Sequence, residues 1–82
     1  MDFVLSDHAR KRCSQRGLHP SWVAAALECP ARTESDHDDP SLTHALLPIA
    51  ERGFRVLRVI YKDTRLPWLV VTAFFDDSVT DL

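Results

Sequence analysis

Ser6–Gly17, SDHARKRCSQRG, is the stretch from which the fold is read. Ser6 predicts an N-cap, because its hydroxyl can accept from a free N–H of the first turn. Asp7 puts negative charge at the positive end of the helix, and Arg16 puts positive charge in its last turn. Gly17 stands where a left-handed residue would end it, so a helix is expected over 7–16. At about 100° per residue, His8, Arg12 and Arg16 form one stripe and Leu5, Ala9 and Cys13 the apolar stripe beside it. An imidazole and two guanidiniums thus line the margin of the buried face. Two readings follow. The arginines lay their stems over the core rim with their heads in water, or they form an anion site in which forked guanidiniums receive phosphate and the histidine titrates near neutrality.

Beyond Gly17, Leu18 is expected to plug into the core and His19-Pro20 to open a second helix, since proline suits a first helical position. Trp22, Val23, Ala26 and Leu27 recur at helical spacing until Pro30 stops the run. A Gly-containing turn between two short helices predicts an αα-hairpin over 6–29. Residues 31–75 read as sheet. Ala31–Asp36 is a short edge strand, HDDPS a turn, and Leu42–Ala50 a strand that Pro48 pushes towards an edge or a bulge. Phe54–Lys62 is a strong strand, and the apolar WLVVTAFF at 68–75 is expected at the centre of the sheet. Asp76–Leu82 is a short acidic tail expected to fray. The expectation is an α+β fold, an N-terminal two-helix hairpin packed on a three- to four-stranded antiparallel sheet.

Eighty-two residues make one domain, 1–82. Net charge is −2 and the pI about 6.0, which argues against a dedicated non-specific nucleic-acid binder. A local basic groove is still compatible with that balance, because positive charge concentrates in 10–16 and 52–65 and acid in 34–39 and 76–81. Two cysteines make no disulfide framework, and neither a secretion signal nor a membrane-length apolar run is visible. Cys13 and Cys29 are therefore expected reduced in a cytoplasmic protein. Glu34, Asp36, His37, Asp38 and Asp39 read as a solvated turn rather than a metal site, and no cofactor or metal is expected.

His8-Ala9, Arg12, Arg16-Gly17, the helix ending at Pro30, Arg58-Val59-Ile60-Tyr61-Lys62 and Val70-Val71-Thr72-Ala73-Phe74 resemble the bacterial domain-of-unknown-function family 4258. That family looks like a branch of the RelE/ParE-like toxin fold, in which a helical hairpin packs on an antiparallel sheet. The resemblance implies a toxin-like protein covered by an antitoxin or other protein partner. RelE/ParE-like relatives include messenger-RNA endonucleases acting on the ribosome and DNA-gyrase poisons. Stretch 34–52, with its acidic turn and Pro48, follows no part of the pattern.

RNA cleavage by the 2′-hydroxyl needs a base, cations for the charged phosphorane and an acid for the leaving oxygen. His8 or His44 can supply base or acid, Arg12, Arg16, Arg55 and Arg58 can hold phosphate, and Tyr61 can give a proton or stack on a base. The catalytic set read from the sequence is His8, Arg58 and Tyr61, with Arg12, Arg16 and Arg55 binding phosphate. Against each stands a structural role: Tyr61 and Thr72 as core-rim strand residues, Arg58 as a cross-strand partner of a carboxylate, His44 at a turn edge. Strand 54–62 carries apolar residues on both faces, so periodicity leaves open which one meets the helices. The function expected is that of a toxin-like protein, an RNA-directed endonuclease that, if active, works without metal; the alternative is a non-enzymatic module that docks a protein, or a catalytically inactive relative.

Overall fold

The computed structural model describes residues 2–82. In chain order the elements are β1 (Phe3–Leu5), α1 (Asp7–Arg16), α2 (Pro20–Glu28), β2 (Arg32–Ser35), β3 (Thr43–Ile49), a 3-10 turn (Ala50–Arg52), β4 (Arg55–Lys62) and β5 (Trp68–Phe75). The local signals of α1 act as read. Ser6 Oγ accepts from the Ala9 N–H at 3.0 Å. Gly17 is left-handed at φ 64°, with its N–H donating to the Ser14 carbonyl and the Leu18 N–H to the Cys13 carbonyl. That pair of bonds is a Schellman motif, and its apolar residue, Leu18, is buried.

The sheet departs from the expectation. It has five strands in the order β1-β5-β4-β3-β2, and it is mixed, not a three- to four-stranded antiparallel sheet. β2 to β5 pair antiparallel, while β1 runs parallel to β5 with Phe3 opposite Trp68 and Leu5 opposite Val70. Three residues are too few to show alternation, so β1 is a strand only because β5 offers it an edge. With β1 outside β5, the central strand is β4 rather than 68–75. Nor do the helices form a hairpin that opens the fold. They follow β1 and lie side by side on one sheet face, α1 over β5 and β1, α2 over β3 and β4, each packed on the sheet rather than on the other. Pro48 lies past the last β3 residue paired with β2, where its missing N–H leaves no ladder bond unmade on that side.

The helix-side core joins Ala9, Cys13, Leu18, Trp22, Val23, Ala26 and Leu27 to the sheet residues Ala45, Leu57, Val59, Val70 and Ala73. In β4 it is therefore the face of Leu57, Val59 and Tyr61 that meets the helices. A register shift beside Ile60/Tyr61, where Thr72 and then Val70 are the partners, leaves Val71 as an extra residue in β5. This bulge lets Val70 and Ala73, three apart, both face the helices. Cys13 and Cys29 are free thiols, and burial raises the Cys13 pKa. No helix among the described residues is long and apolar enough to cross a membrane.

Candidate functional site on the open sheet face

The face away from the helices carries two rows of side chains set by strand register. Arg32, Leu46, Arg58 and Phe74 are partners across β2, β3, β4 and β5. The next row is Glu34, His44, Ile60 and Thr72. Arg58 joins the rows. Its Nη1 donates to Glu34 Oε1 at 3.0 Å and to His44 Nδ1 at 2.8 Å, and its Nε donates to Asp76 Oδ2 at 2.9 Å. On the far side of the ring, His44 Nε2 lies 2.7 Å from Asp36 Oδ1.

This geometry assigns the proton on His44. A guanidinium can only donate, so Nδ1 is the acceptor and Nε2 carries the hydrogen given to Asp36. The loop between β2 and β3 sets the carboxylate. Asp36 Oδ2 accepts the backbone N–H groups of Asp38 and Asp39 at 3.2 and 3.0 Å, and Asp39 accepts the N–H and hydroxyl of Ser41. The hydrogen bond from His44, reinforced by those two N–H groups, holds the Asp36 carboxyl below its ordinary pKa. Arg58 does the same for Glu34. For Asp76 the lowering comes first from the Ser78 hydroxyl, with Arg58 adding to it. Together Asp36, His44 and Arg58 form a relay: an anion that orients an imidazole, and a cation parked on the imidazole's lone pair.

The cluster is enclosed by the C-terminal tail. Asp76 continues β5 by donating its N–H to the Val56 carbonyl, and its side chain then caps Ser78. Asp77 takes both ends of the Arg55 guanidinium at 3.0 Å, and Asp81 reaches Arg32 at 3.1 Å. Arg32 also pairs with Glu34 at 3.0 Å. Instead of fraying, the tail is pinned at three carboxylates.

The residues singled out from the sequence are scattered over the molecule. His8 and Arg12 stand on the exposed side of α1, where Arg12 donates to Gln15 at 3.3 Å. Arg16 donates to the Ala73 carbonyl at 2.7 Å, closing the edge of β5 beyond the reach of β1. Tyr61 is buried on the helix side and stacks on Trp68 at 5.1 Å; burial raises its pKa. Arg55 lies over Phe75 at 4.6 Å as well as pairing with Asp77. Of these six residues, Arg58 alone belongs to the relay. The sequence offers His44 only as a second histidine beside His8, and Asp36 and Glu34 as turn residues. One signal was present: Glu34 and His44 are equally far from Asp39, so a hairpin centred there makes them cross-strand partners. Among the described residues no three His, Cys, Asp or Glu side chains stand where they could share a metal ion.

A family model described as a domain of unknown function (DUF4258) matches residues 5–75. No curated protein and no solved structure matches the chain.

Proposed function

The chain belongs to the DUF4258 family, whose description carries no activity, and from the open face itself we propose that it is a phosphodiester-directed acid–base site acting on RNA. In this reading His44 is the proton-transfer group, Asp36 orients it and holds its positive form, and Arg58 receives phosphate. The observation that carries it is the Asp36–His44–Arg58 relay on a sheet face that no helix covers. Arg58 must leave Nδ1 to meet a phosphate, and that movement frees the lone pair that a base needs. The 2′-hydroxyl proton then passes to Nδ1 as the 2′-oxygen bonds to phosphorus. The bond to the 5′-oxygen breaks, that oxygen takes a proton from a water molecule, and the His44 imidazolium returns its proton to the hydroxide left behind. The toxin-like role and the RelE/ParE-like kinship implied by the residue pattern belong to this proposal, as does an antitoxin or other partner that holds the activity in check.

The test is induction of the wild-type chain and its variants in a bacterial host, with growth and total RNA followed. Wild type is expected to arrest growth and shorten messages. His44→Ala and Arg58→Ala should lose the effect by about 100-fold or more in cleavage rate, the span of one positioned acid–base group, with circular dichroism unchanged. Arrest that persists in His44→Ala, or soluble expression without arrest, overturns the reading. A second reading, a non-enzymatic docking module, is favoured by the pairing of Arg32, Arg55 and Arg58 with carboxylates. It predicts intact RNA and one stoichiometric protein partner.

A further inference from the structure

We propose that Asp76–Asp81 is an acidic strap lying in the site where a polyanion binds, and that an RNA backbone must displace it to reach Arg58 and His44. The proposal rests on the RNA-directed reading above for the identity of the polyanion, and on the strap's own contacts for the displacement.

The strap takes the positions that phosphates would take. Arg32 and Arg58 flank Leu46 in one row across three strands, which spans about 10 Å at the usual strand spacing. Asp76 sits on Arg58 at one end of that row and Asp81 on Arg32 at the other. Leu46 is 0% exposed and Val56 is buried, yet both lie outside the helix-side core cluster. The strap is anchored on either side of Leu46, and its Asp76 N–H is bonded to the Val56 carbonyl. The strap, residues 76–81, also lies outside the 5–75 match, whereas the three arginines lie within it.

Charge makes the strap a switch. With it in place, Arg32, Arg55 and Arg58 pair with four carboxylates: Glu34, Asp76, Asp77 and Asp81. With it lifted, the same three arginines keep one, Glu34, and the local balance turns from acidic to basic. The strap also leaves a donor unused, since Arg32 Nε is buried without a hydrogen-bond partner. A phosphate, with more acceptor oxygens than one carboxylate, can satisfy it. Anchoring is graded, because the Arg58–Asp76 pair is 13% and 17% exposed while the Asp81 side chain is 74% exposed. Exposed pairs hold weakly, so the strap opens from its tip. Once Asp76 lets go of Nε, Arg58 is held by Glu34 and His44 at Nη1 alone, and an incoming phosphate can draw the guanidinium off the imidazole.

The test compares three chains by fluorescence anisotropy at low salt: wild type, Asp76→Asn/Asp81→Asn, and Asp7→Asn/Glu28→Gln as an equal charge change on the helices. The probes are a 20-nucleotide oligouridylate and, separately, inorganic polyphosphate. The strap variant is expected to bind oligouridylate at least 10-fold tighter than wild type, and the control variant less than 2-fold tighter. Equal affinities for the strap and control variants overturn the strap while leaving the RNA reading standing. Strap-dependent binding of polyphosphate with none of oligouridylate keeps the strap and removes the RNA reading. No binding of either probe by any chain removes both. Should the double variant unfold, Asp81→Asn alone frees the exposed tip, and an effect no larger than the control's overturns the strap.

Discussion

On one side of the sheet Leu57, Val59 and Ala73 pack against Val23, Ala26 and Leu27, and hardly any of them meets water. On the other side Leu46 is just as buried, but its neighbours in the row are Arg32 and Arg58, and each of those is tied to a carboxylate of the C-terminal segment. The first face is held by burial of apolar area, which is non-directional and insensitive to charge. The second is held by charge-assisted hydrogen bonds, which depend on geometry and on protonation. One molecule therefore carries a rigid face and a face that can be opened.

Matched truncations give the largest expected effect. Leu57→Ala should cost about 3 kcal/mol, because a cavity between sheet and helices has little room to collapse. Leu46→Ala should cost less, about 2 kcal/mol, because the strap can settle into the space. Urea midpoints check this, and equal losses would mean that the tail packs as firmly as the helices do. Acid gives the next effect. Glu34, Asp36, Asp76 and Asp77 have folded pKa values lowered from their ordinary ones. The stability they contribute is present above the unfolded pKa of about 4 and is lost as pH falls through the lower folded values. Proton NMR on lowering the pH should show the Ser78 amide shifting before that of Val23; simultaneous movement would show that the faces do not open separately. The smallest effect is expected on α1: Arg12→Ala should change stability by less than about 0.5 kcal/mol and leave growth arrest intact. A loss of arrest would return the site to the helix stripe.

What could be read from the chain was whatever is encoded locally. Ser6, Gly17 and Pro20 act on their own turns, so both helices were legible from their caps and apolar spacing. β1 was not legible, because Phe3–Leu5 becomes a strand only through a partner 65 residues away. The bulge at Val71 was hidden for the same reason, since an extra residue exists only relative to a register. His44 was undervalued because its partners, Asp36 and Arg58, are 8 and 14 residues off in sequence and meet it only through strand pairing. The basic stripe of α1 drew attention because a helix shows its periodicity in one short window. Arg16 turned out to spend its charge on a strand carbonyl. The tail looked free because nothing within 76–82 reveals that Arg32, Arg55 and Arg58 lie beneath it.

The pairing of β1 with β5 bears on how the protein is made. Ser6 donates its N–H to the Val70 carbonyl and its hydroxyl to that of Val71, so the start of α1 is fastened to the last strand. The sheet contacts of α1 are with β5 and β1. During synthesis this helix leaves the ribosome before α2 and β2 to β4, and the strand it rests on leaves after them. Until then its apolar stripe has no floor, and closing so long a loop is an entropic step that short-range contacts cannot replace. A nascent chain stalled before residue 68 would have α2 with β3 and β4 at hand, but α1 adrift. Protection of Ala9 and Cys13 should therefore arrive in one step, with the emergence of Trp68–Phe75.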